Sequence, residues 1–185
     1  MLGAVARTIA LVALLAAPAC AALAGVPAAQ ASPPQLRHPA AALSSLEHGV
    51  LADINVFRTQ HHLAPLRLSS ALTISAREHS QQMAADGYFA HESADGSAFW
   101  KRIRRFYPSG SNRYWSVGEN LLWSSPDVDA QSALEMWLAS PEHRANLMTA
   151  RWREIGISAV HATAAPGTFK GLDVTIVTTD FGVRH

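Results

Sequence analysis

The chain has 185 residues, with 15 basic and 14 acidic side chains, nine histidines and one cysteine, Cys20. A balance this close to neutral leaves no footprint for nucleic acid and none for docking on an anionic membrane. One cysteine permits no internal disulfide, so the fold must stand on an apolar core, for which this length suffices as one domain.

Residues 1–31 read as a signal peptide. Arg7 precedes an almost unbroken apolar run from Thr8 to Leu23, and Ala29-Gln30-Ala31 supplies the small-x-small pattern of a cleavage site before Ser32. Export beyond the cytoplasmic membrane is expected, with no transmembrane segment in the mature chain. Cys20 raises lipoprotein anchoring against free secretion, although Ala17-Pro18-Ala19 lacks the leucine usual in that motif. Cleavage removes Arg7 and leaves fourteen residues of each sign. It also removes Cys20, which excludes a Cys-His hydrolase. Residues 32–43 are Pro-rich and expected to be a flexible tether to a single domain over 44–185.

Leu46, Val50, Ile54 and Phe57 recur at helical spacing and predict a helix from Ser44 to about His61. A turn at Pro65 leads to a second helix, capped by Ser70, with Leu72, Ala76, His79 and Met83 along one face and Gly87 at its end. The stretch Asp95 to Tyr107 reads as a shorter third helix. Phe99, Ile103 and Phe106 point inward there, and Lys101, Arg102, Arg104 and Arg105 form a solvated outer face. Trp115 to Trp123 is strand-like, with Glu119 set inside an apolar run; such a charge faces the surface by alternation or is buried with a partner. Ala130, Leu134 and Trp137 mark the inner stripe of a fourth helix, after which Ser140 and Pro141 open a short turn. The period then changes. Residues 154–162 and 172–182 alternate with β-branched side chains around a Pro-Gly loop, a β-hairpin signal. The order predicts an α+β fold in which helices cover a small antiparallel sheet.

Two motifs mislead. His91-Glu92-Ser93-Ala94-Asp95 falls one residue short of the zinc-protease HExxH, and Gly87 and Gly96 bracket it too tightly for a helix. Asp180-Phe181-Gly182 spells the kinase DFG without the loops that precede it in kinases, and reads as a strand end. The candidates that remain are His91 in the loop after the second helix, Glu119, and His143 with Asn146 on one face of the last turn. A position near a helix N-terminus disfavours the imidazolium and keeps His143 neutral.

The stretches "NVFRTQHHLAPLRLSSALTISAREHSQQMAADGYFAH", "VGENLLW", "ALEMWLASPEHRANLM", "IGIS" and "VTTDFG" together resemble the bacterial branch of the CAP superfamily (cysteine-rich secretory proteins, antigen 5 and pathogenesis-related 1), or SCP domain, over about residues 46–182. The resemblance implies an α-β-α sandwich. It also implies a central cavity lined in fuller members by two histidines and two glutamates that can hold a divalent metal such as zinc. His91, Glu119 and His143 match three of these four ligands. Ser140 stands where the second glutamate would follow Trp137, with Glu142 and Glu135 nearby. Two imidazoles, a carboxylate and a water make a plausible zinc set; the other reading is a metal-free hydrogen-bonded cluster.

A non-enzymatic secreted module is therefore expected, its His91, Glu119, His143 and Asn146 cavity binding lipid or another cell-envelope component. The aromatics Tyr88, Phe89, Phe99, Trp100, Tyr114, Trp115 and Trp123 are compatible with an apolar groove. The alternative is a metal-dependent hydrolase or peptidase centred on His91, Glu119 and His143.

Overall fold

The computed structural model describes residues 43–185. The expected signal peptide and the tether up to residue 42 lie outside the described residues. The first helix, α1 (Ser45–Gln60), starts at a capping box: the Ser44 hydroxyl accepts from the Glu47 N–H, and the Glu47 carboxylate accepts from the Ser44 N–H. Its stripe of Val50, Ile54 and Phe57 is buried as the spacing predicts, and Glu47 is buried with it, also accepting from the Ala159 N–H at 2.9 Å.

After Pro65 comes a strand that the sequence reading missed, β1 (Arg67–Leu68), too short to show a period. The second helix, α2 (Ser70–Asp86), is capped by Ser69 rather than by Ser70, and Ser69 makes no side-chain cap bond. Leu72, Ala76, His79 and Met83 are all fully buried. Then follow α3 (Phe99–Phe106), β2 (Trp115–Ser124), α4 (Ala130–Ala139) and α5 (Pro141–Leu147). The hairpin strands are β3 (Glu154–Ala165) and β4 (Leu172–Arg184). The sheet order is β1-β3-β4-β2, antiparallel except for the short parallel β1–β3 pair, so the wholly antiparallel sheet of the sequence reading gains one parallel edge.

Alternation along the strands divides the core between two faces. Leu122, Ile155, Ile157, Val177 and Phe181 pack under α1, α4 and α5 with Trp137 and Trp152. The opposite face carries Leu121, Val174 and Ile176 against Met83 of α2, with Leu72, Ile103 and Tyr107 in a neighbouring cluster beneath α3. The result is an α+β fold of three layers, helix, sheet and helix. Among the described residues no helix is long and apolar enough to cross a membrane.

Candidate functional site

Glu119 lies at the centre of β2, an edge strand, with its side chain on the α2/α3 face. It is 6 % exposed, and both its oxygens are taken. His91 Nδ1 lies 2.8 Å from Oε1, and the Arg102 guanidinium pairs closely with Oε2. Arg102 corrects the sequence reading. Far from lying on a solvated face, its side chain is 2 % exposed, and it also donates to the His91 carbonyl at 3.3 Å and to the Ser93 hydroxyl at 3.0 Å. The signal was present in the helix period: Phe99, Arg102, Ile103 and Phe106 form one i, i+3, i+4, i+7 stripe, in which a cation is tolerated only with a buried anion to meet it.

Two further groups lie beneath this pair. His79 is fully buried, its Nε2 hydrogen-bonded to the Ala90 carbonyl at 2.9 Å, which ties α2 to the loop bearing His91. Burial lowers its pKa to about 4, with Arg102 adding to the effect. Asp180 is the cross-strand partner of Glu119 and is fully buried, in the DFG stretch near the C-terminal end of β4. Burial, then the neighbouring Glu119 carboxylate, holds its carboxyl well above the usual range. A carboxyl with no donor on either oxygen is consistent with the neutral acid.

The cleft itself lies along the outer edge of β2 and encloses about 450 Å³. His91 and Glu92 stand on one lip, His143 and Glu142 on the other, with Phe99 as the apolar wall and Gly118 to Asn120 as the floor. His91 is half exposed, and the bond to Glu119 raises its pKa. His143 titrates low because of burial, then because of His91, so it stays neutral as expected, with burial the larger cause. Its ring meets neither His91 nor Glu119 in a hydrogen bond.

Asn146 lines the same cleft and also ties its elements together. Its amide donates to the Glu119 carbonyl at 3.2 Å and to Asn120 Oδ1 at 2.9 Å, while Trp152 Nε1 donates to its Oδ1 at 3.0 Å. Asn120 in turn donates to the His143 carbonyl at 3.1 Å. This network fastens α5 to β2. It requires Gly118, where a Cβ would stand 2.8 Å from Asn146 Oδ1 and from Trp152. Of the two glutamates considered for the fourth ligand, Glu142 is at the cleft rim, and Glu135 faces a separate groove between α1 and α4.

The metal set His91, Glu119 and His143 does not fit a resident divalent ion as these side chains are arranged. Glu119 already pairs with the buried Arg102 guanidinium, and among the described residues no three His, Cys, Asp or Glu side chains converge as ligands. Of the aromatics, Trp100 and Tyr114 are exposed, whereas Trp115 and Trp123 are packed. Trp123 packs edge-on to Phe169 beneath α2, and Trp115 packs under α3 with its indole N–H on the Tyr107 carbonyl.

The layers and the histidine-glutamate cleft at the sheet edge define an α-β-α sandwich of the SCP type. A profile of the Cysteine-rich secretory protein family (CAP) matches residues 51–178, and the protein belongs to that family. Among curated relatives, the uncharacterized protein YkwD of Bacillus subtilis is 28 % identical over 120 residues, 65 % of this chain and 44 % of YkwD. The uncharacterized membrane protein YlbC of the same organism is 30 % identical over 111 residues, 60 % of this chain and 30 % of YlbC. The matched region thus spans less than half the length of either relative. Among solved structures, an outer surface protein of Borrelia burgdorferi superposes with a TM-score of 0.57 at 20 % identity, over 74 % of this chain and 90 % of that one. An extracellular SCP-domain protein of Bacillus anthracis gives 0.53 at 24 % identity, over 76 % and 44 %. At these identities the likeness is one of fold.

Proposed function

We propose that this protein is a non-enzymatic binding module of the cell exterior, whose β2-edge cleft takes a polar component of the cell envelope. The observation that carries the reading is the state of Glu119. The hydrolase reading centred on His91, Glu119 and His143 needs Glu119 free to act as base or metal ligand, and here both its oxygens are committed to His91 and Arg102. What faces the cleft instead is recognition chemistry: the open imidazoles of His91 and His143, the carboxylates Glu92 and Glu142, and one aromatic wall at Phe99. The leader expected over residues 1–31 supports an exported location, as do the extracellular and outer-surface descriptions of the two solved neighbours. A lipid tail has no support from the packed Trp115 and Trp123.

The test uses residues 32–185 with a soluble digest of bacterial cell wall in titration calorimetry, beside His91→Ala and His143→Ala, and a peptide and ester panel assayed with zinc and with chelator. Saturable binding that both variants weaken, without turnover, is the expected result. Zinc-dependent turnover abolished by chelator would establish the metal-dependent hydrolase reading of His91, Glu119 and His143 in its place.

A further inference from the structure

The floor of the cleft is backbone as well as side chain. The Tyr114 and His185 backbones exchange both hydrogen bonds, at 2.9 and 3.1 Å, and the β2–β4 register runs without a break from there to Ser124. Antiparallel pairing alternates, so Ser116, Gly118 and Asn120 turn their backbone groups toward β4, whereas Val117, Glu119 and Leu121 turn theirs to the outer edge. Side-chain donors confirm the direction. Asn146 reaches the Glu119 carbonyl from α5, and the Trp137 indole reaches the Leu121 carbonyl from α4 at 3.1 Å.

That cover is incomplete. Among the described residues, the Glu119 N–H and both backbone groups of Val117 have no hydrogen-bond partner; Glu119 lines the cleft, and Val117 continues the same edge just past Gly118. An uncovered run of outward N–H and C=O groups on an edge strand is a template for another strand. The lips fit the side chains such a strand would carry. Phe99 offers an apolar contact on one side, and the exposed Glu92 and Glu142 carboxylates favour a basic residue, while the Arg102 charge is already neutralised by Glu119.

From this we infer that the ligand of the cleft is an extended peptide with a basic side chain, bound as an added strand on the Val117–Glu119 edge of β2. The inference rests on the binding-module reading and names its ligand class. Main-chain bonds to Val117 and Glu119 provide the affinity, and Phe99 with the two rim glutamates selects the side chains.

The test begins with amide hydrogen exchange on the free protein. Val117 and Glu119 should exchange faster than Ser116, Gly118 and Asn120; protection of both in the free protein would overturn the proposal, because the edge would then be closed. The probes are capped five-residue peptides, Ac-TVKVT-NH2 and Ac-VTKTV-NH2, each with two isomers N-methylated at alternate residues, so that one strand edge or the other is blocked. Each unmodified probe should slow exchange at Val117 and Glu119, and one isomer of each pair should bind about tenfold more weakly than the other. Equal binding of the two isomers would show that no strand pairing occurs, and so would no slowing at millimolar peptide. If the cell-wall digest binds and the peptides do not, the module reading stands and the added strand is rejected. Failure of both together rejects the module reading itself.

Discussion

Arg102 and Glu119 form a buried ion pair whose partners each complete the other's loop contacts. Guanidinium and carboxylate side chains are 2 % and 1 % exposed, so neither can recover its hydration if the other is removed. Arg102→Met should therefore cost about 3–5 kcal/mol in urea denaturation, since it leaves a buried carboxylate uncompensated. An unchanged midpoint would mean that the pair is open to water. The two nearby histidines respond to pH in opposite senses. His79, lowered to about 4, is neutral in the fold, so between about 4 and 6.5 the unfolded chain binds more protons than the native one. Its contribution thus rises with pH across that window, by roughly 3 kcal/mol. His91, raised by Glu119, contributes stability below its unfolded pKa and loses it as pH climbs through the folded value. Measured at pH 4.5 and 7, His79→Gln should lose much of the rising slope while keeping a donor for the Ala90 carbonyl; a slope identical to wild type would assign the acid sensitivity elsewhere.

At the scale of elements, the placement of α2 on the sheet decides whether the site forms at all. His79 and Ser80 descend from α2 into the layer that holds Glu119 and Asp180, and Ser80 donates to the Thr178 hydroxyl at 2.8 Å. This depth depends on Gly156 of β3, where a Cβ would fall 2.0 Å from the Leu72 carbonyl carbon and 2.2 Å from the Thr73 nitrogen. Both are helix backbone, so no rotamer relieves the clash. Gly156→Ala should lift α2 from β3 and destabilise by about 3 kcal/mol, the upper part of the overpacking range. The same lift would loosen His79 from the Ala90 carbonyl, so the His79 ring resonances should move in the NMR spectrum along with the lowered midpoint. A shift in stability with the His79 signals unmoved would place the strain away from the site.

Over the whole molecule, one sheet serves two cores, and no disulfide ties them together because the only cysteine is Cys20. Trp137 and Trp152 report on the face under α1 and α4, and Trp123 on the face under α2. Every strand of the hairpin contributes to both faces by alternation, so losing one layer exposes the other side of the same strands. Unfolding of residues 32–185 should then be a single transition, with coincident midpoints by tryptophan fluorescence and far-ultraviolet dichroism. Two separated transitions would show that the α2/α3 layer opens on its own.

Much of this was legible in the residues alone, where local spacing is the physical cause. Val50, Ile54 and Phe57, the Ser140-Pro141 helix start and the alternation of β3 and β4 each follow from period and capping, which act within a few residues. The family resemblance likewise brought His91 and Glu119 to one site before any contact was known. What the sequence could not disclose was who neutralises Glu119. That depends on a partner seventeen residues away on a different element, on the strand register that sets Asp180 opposite, and on a helix depth permitted by Gly156. Pair formation between buried charges is a long-range, low-dielectric effect, and only the packed tertiary structure decides which opposite charge arrives. Here an arginine of the chain itself arrives, and with His91 it takes both oxygens of the glutamate that the sequence offers as a metal ligand.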